Sequence, residues 1–169
     1  MHSFRLLRAA FAGAALLATT AARAGDLDGV YENTGSLVAA ATPDSGTISF
    51  QGLLELNFDY TLTRALHGAT NRVTIRETAT HFKIECLDAD DHVTWTGSWE
   101  KGAGCTTGDD RVDLTFHNSQ LKYDSYVLSL QPVPQRDLLL VDVKRLNATL
   151  LGPSVQPVGT FVFGRLANR

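Results

Sequence analysis

Leu54, Leu56, Phe58, Tyr60 and Leu62 alternate with Glu55, Asn57, Asp59, Thr61 and Thr63. A period of two over ten residues predicts a long antiparallel strand with one face buried. The same alternation returns along the chain. Val73 and Ile75 stand between Arg72, Thr74 and Arg76, and Phe82, Ile84 and Cys86 between Lys83 and Glu85. Val93, Trp95, Gly97 and Trp99 alternate with Thr94, Thr96, Ser98 and Glu100, and Val112, Leu114 and Phe116 with Asp113, Thr115 and His117. Further strands are predicted at 29–33, 123–130, 138–144 and 159–165. Only 63–68 reads as helix, with Thr63 as N-cap and Gly68 as stop.

Turn chemistry separates these segments. Thr42-Pro43-Asp44-Ser45-Gly46, Asp88-Ala89-Asp90-Asp91 and Thr107-Gly108-Asp109-Asp110 are turn clusters, and Pro132-Val133-Pro134 and Gly152-Pro153 break the chain again. Eight or nine short-looped strands leave two main solutions, a closed barrel or a two-sheet sandwich. The expected fold is all-β, a single antiparallel up-and-down β-barrel, because closing a meander removes its exposed edges. A β-sandwich is the alternative. A membrane-spanning barrel is disfavoured by the end Leu166-Ala167-Asn168-Arg169, which lacks a terminal aromatic.

The first 24 residues do not belong to this pattern. Arg5 and Arg8 precede an uncharged Ala/Leu-rich run from Ala9 to Ala22, and Ala22-Arg23-Ala24 fits small-x-small cleavage. The run is too short to cross a bilayer, which takes about 20 apolar residues. The expectation is a signal peptide over 1–24 and one domain over 25–169, periplasmic or secreted, with no lipid-anchor cysteine and no remaining transmembrane segment. Of 169 residues, 15 are Lys or Arg and 18 are Asp or Glu; losing Arg5, Arg8 and Arg23 leaves 12 basic residues and a formal charge of −6. That balance argues against nucleic acid and anionic membrane surfaces and admits a basic protein partner.

Gly29-Val30-Tyr31 opens the first strand after the signal, and Phe161-Val162-Phe163-Gly164-Arg165 closes the last. These ends resemble those of lipocalin-type barrels, where a G-x-W near the start meets an arginine of the final strand. The resemblance implies a barrel-closing role for Tyr31, in place of tryptophan, and for Arg165 as its stacking cation. It implies no ligand.

Candidate chemistry is sparse. Cys86 and Cys105 are the two cysteines, and an even count in an exported chain predicts a disulfide. No G-x-S-x-G elbow occurs. His67, His81, His92 and His117 lack metal-ligand spacing, and Asp88, Asp90 and Asp91 lack the twelve-residue calcium loop, so no metal and no cofactor are expected. Trp95, Gly97 and Trp99 share one strand face, and glycine between two indoles predicts a notch for a small ligand. The expected function is a non-enzymatic exported binding protein for a small amphipathic ligand. A periplasmic protein-recognition module, such as an inhibitor of a cell-wall hydrolase, is the alternative. A secreted hydrolase with an unrecognised site is the third reading.

Overall fold

The computed structural model describes residues 27–40, 46–56, 70–108, 110–117, 124–149 and 152–167. The strands are β1 (Gly29–Glu32), β2 (Thr34–Ala40), β3 (Thr47–Ser49), β4 (Arg72–Glu77), β5 (His81–Leu87), β6 (Val93–Glu100), β7 (Cys105–Thr107), β8 (Val112–His117), β9 (Asp124–Val133), β10 (Leu138–Thr149) and β11 (Gly152–Leu166). A short helix, α1 (Phe50–Leu54), follows β3, and a 3₁₀ turn at Pro134–Arg136 joins β9 to β10. Among the described residues no helix is long and apolar enough to cross a membrane.

The chain is all-β. One antiparallel sheet runs in the order β6-β5-β4-β1-β11-β10-β9-β8-β7, with β2 also paired to β11 and β3 to β2. The period-two segments form because each has one face to bury. Val73, Ile75, Phe82, Ile84, Leu114, Leu128, Leu130, Val141 and Phe163 are all essentially inaccessible, while their sequence neighbours are more exposed.

The first and last strands are neighbours, as the sequence ends predict: Val30 pairs with Leu166 and Tyr31 with Arg165. The Tyr31 ring is buried, its hydroxyl donates to the Leu27 carbonyl at 2.9 Å, and the Arg165 guanidinium carbon lies 5.9 Å from the ring centroid. Burial raises the Tyr31 pKa; Arg165 pulls it back and Asp28 pushes it further. The Arg165 side chain crosses directly over Gly29, where a Cβ would come within 2.8 Å of Nε.

Among the described residues the sheet is left open between β6 and β7, a form that suits both the expected barrel and its sandwich alternative. Its end strands β6 and β7 are consecutive in the chain, yet they share only a bridge between Lys101 and Cys105. The intervening Gly102-Ala103-Gly104 turn, with both glycines at positive φ, delivers a β7 of three residues, too short to continue a ladder. The sheet curls all the same, because the rings of Trp99 on β6 and Phe116 on β8 lie 5.6 Å apart.

Two segments depart from the predicted pattern. Leu54 ends helix α1 rather than opening a strand, and Leu56 sits in the left-handed region at φ 56°, which no strand accommodates. The remainder of that predicted strand, and the predicted helix at 63–68, lie outside the described residues. Gly152-Pro153 opens β11 instead of breaking the chain; among the described residues the segment 152–157 pairs with β10 alone, an edge position where proline is tolerated.

Helix α1 is entirely buried, and Asn33 anchors its first turn. Asn33, at the kink between β1 and β2, accepts from the Gln51 N–H at 3.0 Å through Oδ1. Its Nδ2 donates to the Thr70 carbonyl at 3.1 Å, and its own carbonyl accepts from Phe50 N–H at 2.8 Å. Ser49 caps the helix by accepting from Gly52 N–H at 3.2 Å. Phe50 then stacks edge-on against Phe163, ring centroids 4.8 Å apart.

Candidate functional site

Edge strand β6 places Trp95, Gly97 and Trp99 opposite Cys86, Ile84 and Phe82 of β5. Those three partners are fully buried, so the stripe lies on the core face. The indoles are only half-buried, and among the described residues no full-length strand pairs beyond β6.

The expected notch at Gly97 is not open. The indoles lean over the glycine from both sides, with ring centroids 6.2 Å apart and planes at 32°. A Cβ at Gly97 would come within 2.6 Å of the Trp99 ring. The glycine is therefore a seat for its own neighbours' rings.

What the stripe does instead is begin a row of aromatics. Trp99 touches Phe82 at 6.4 Å and Phe116 at 5.6 Å between centroids. Phe116 pairs with Tyr126 of β9, and Tyr126 with Arg145 of β10. The pairing of β10 with β9 keeps one register throughout, so Leu139, Val141, Val143, Arg145 and Asn147 share the core face. This face passes from aliphatic to polar between Val143 and Arg145. The Asn147 Oδ1 atom is buried and has no hydrogen bond. Sequence reading missed Phe116, Tyr126, Arg145 and Asn147 because the row crosses four strands, and only strand order brings them together.

A part-buried polar cluster centred on Gln51 adjoins the Trp95 end. A register shift beside Cys86 turns the Thr94 hydroxyl toward the Cys86 carbonyl, 3.1 Å, and Gln51 Oε1, 3.3 Å. Gln51 Nε2 donates to Glu55 at 2.9 Å, and the Thr70 hydroxyl donates to Gln51 Oε1 at 2.5 Å. Every polar atom of the nearly inaccessible Gln51 side chain thus has a partner, and this cluster fixes α1 against β6.

Cys86 and Cys105 are free thiols, which corrects the predicted disulfide. Along β6, Cys86 stands opposite Trp95 and Cys105 bridges Lys101. Six residues of strand separate those levels, roughly 20 Å, against about 4.4–6.8 Å between the Cα atoms of a disulfide. Burial pushes both thiols' pKa up, aided at Cys86 by the Glu55 carboxylate. At Cys105 the Lys101 ammonium opposes the rise and Glu77 and Asp113 add to it.

The other weighed residues do not converge. His81, His92 and His117 are exposed, on β5, the β5–β6 turn and β8, and His67 lies outside the described residues. His117 Nδ1 is 3.0 Å from Ser125 Oγ, on the outer face of the sheet, since Phe116 between them in the pattern faces the core. Asp88, Asp90 and His92 bring ligand atoms within 4.8 Å of one another on the exposed β5–β6 turn. There Asp88 accepts from the N–H groups of Asp90 and His92, both at 2.9 Å, which holds its carboxyl below the usual range. Asp91 turns away to pair with Arg72. That pair spans a groove on the outer face lined by Val30, Asn71, Ala89 and Leu166.

Comparison of the chain with protein-family models, with curated proteins and with solved structures found no match.

Proposed function

We propose that the chain is an exported, non-enzymatic binding protein of lipocalin-like barrel type. The observation that carries this is the continuous row Trp95–Trp99–Phe116–Tyr126 on the core face, ending at Arg145 and Asn147. An aromatic wall running into polar side chains suits a small amphipathic molecule, its apolar body on the rings and its polar end at Asn147. A buried acceptor without a hydrogen bond costs about 1–3 kcal/mol, which a ligand donor at Asn147 Oδ1 would recover. Tyr31 over Arg165 supports the barrel reading, with the seam at β6 and β7 as the way in. The N-terminal segment supports export and cleavage after Ala24. A protein-recognition role toward a basic partner is the second reading, supported by the −6 charge that cleavage leaves.

Non-denaturing mass spectrometry of the protein taken from its native compartment tests this. The expected result is a mature chain beginning at Gly25 with a small molecule retained, and loss of that molecule in Trp99→Ala and Phe116→Ala. A co-purifying basic protein and no small molecule would favour the second reading. An intact residue 1–24 segment on exported protein would refute the cleavage.

A further inference from the structure

One short turn crosses the seam between β6 and β7. On the β6 side Lys101 is anchored to the end of β4 and the turn after it. Its N–H donates to the Thr80 carbonyl at 2.9 Å, and its ammonium lies 2.6 Å from the Glu77 carboxylate, both side chains largely buried. On the far side Cys105 is fully buried opposite Leu114 of β8, and the Gly104 carbonyl accepts from Thr115 N–H at 2.9 Å. Gly102 and Gly104 stand between these anchors at φ 92° and 78°. Across the seam itself the described residues show the Lys101–Cys105 bridge, the Gly102 N–H donating to the Cys105 carbonyl at 2.8 Å, and the Trp99–Phe116 ring contact. By contrast, β5 with β6 and β8 with β9 form ladders along their lengths.

We propose that this seam is a gate, hinged at Gly102 and Gly104, that opens by parting Trp99 from Phe116 and so bares the aromatic row. A stretch held by few hydrogen bonds opens at a smaller free-energy cost than the global unfolding that frees a full ladder. Positive φ at both hinge positions suits glycine in the closed form. A Cβ at Gly102 would meet nothing within 4 Å, and one at Gly104 only the Thr115 carbonyl at 3.9 Å. Alanine at either position therefore strains the closed backbone without a clash. Cys105 reports the opening, because its thiol is inaccessible while the seam is shut and lies in the field of Lys101 and Glu77 on the other side. Cys86 is the internal reference, fully buried within the β4–β5–β6 ladders. As a ligand's way in, the gate rests on the binding function proposed above; the hinge does not.

Labelling of the folded mature chain with N-ethylmaleimide, followed at each cysteine by peptide mass spectrometry across low urea concentrations, tests the hinge. Local opening exposes little surface, so the Cys105 rate is expected to be nearly flat in urea while the Cys86 rate climbs steeply with global unfolding. Gly102→Ala is expected to speed Cys105 labelling about tenfold, the cost of holding alanine in the left-handed region. Val141→Ala, in the core on β10, is expected to speed Cys86 labelling and leave Cys105 unchanged. A Cys105 rate that climbs with urea as steeply as that of Cys86 overturns the hinge, and so does one that Gly102→Ala leaves unchanged. The urea comparison uses the wild type, so it stands even where a variant fails to fold. Entry is read separately by rapid mixing with anilinonaphthalene sulfonate, excited through Trp95 and Trp99, the chain's two tryptophans. Faster uptake in Gly102→Ala than in wild type is expected, and equal uptake rates overturn the gate as the way in. A dye that binds neither form counts against the ligand-binding function, while the thiol rates still decide the hinge.

Discussion

Gly97 shows how far a residue type can be read from sequence and where the reading stops. Alternation put Trp95, Gly97 and Trp99 on one face, and the ladder with β5 agrees. Whether the space above a glycine is empty is a rotamer question, and here two indoles occupy it. The cysteine pair failed for a related reason: an even count says nothing of distance, and the register along β6 sets the thiols about 20 Å apart. Because the clash at Gly97 begins at Cβ, Gly97→Ala and Gly97→Val are both expected to destabilise. Forcing the indoles aside is an overpacking cost of about 1–3 kcal/mol. At about 2–4 °C per kcal/mol for a chain of this length, thermal melting resolves it. A variant that melts like the wild type would show that the rings swing away freely.

Among the elements, those with one buried and one solvated face were legible. β4, β5, β6 and β8 match the predicted segments within a residue or two, because Val73/Ile75, Phe82/Ile84 and Val112/Leu114 each mark the core face. Helix α1 was not legible: all five of Phe50-Gln51-Gly52-Leu53-Leu54 are buried, so no polar face prints a helical period. β2, Thr-Gly-Ser-Leu-Val-Ala-Ala, carries too few bulky residues to alternate, and β7 is too short. What places α1 is a side chain outside it. Asn33→Ala removes the acceptor for Gln51 N–H and the donor to the Thr70 carbonyl. Each group left unsatisfied in a buried setting costs about 1–3 kcal/mol, so a loss of about 2–6 kcal/mol is expected from denaturant midpoints. Asn33→Asp keeps the acceptor and is expected to fall between wild type and alanine. Equal losses in both variants would assign the work to the Thr70 contact alone.

At the scale of the whole molecule, strand order decides what the sheet can lose. β11 is the hub: its Arg165–Leu166 end pairs with β1, its middle with β2, and its stretch from Gly152 to Gly164 with β10. On one side of it lie β1, β4, β5 and β6, and on the other β10, β9, β8 and β7. Between those halves the described ladders supply no second route except the Lys101–Cys105 bridge. The neighbouring chain ends were foreseeable, since a meander leaves two edges unless its termini meet; the eleven-strand count and the gap beside β7 were not, because they depend on one glycine-bounded turn. Deleting residues 159–169 removes Phe161 and Phe163 from the core, the cation over Tyr31 and every partner of β2 except β3. Loss of one large buried aromatic alone costs about 3–5 kcal/mol, against a whole-domain stability of about 5–15 kcal/mol. The truncated chain is therefore expected to lose cooperative unfolding altogether, read as a sloping rather than sigmoidal denaturant profile. Deleting only residues 168–169 is expected to leave the transition in place. A sigmoidal transition in the longer deletion would mean that the β10–β7 half folds by itself, and that β11 adds to the sheet without holding it together.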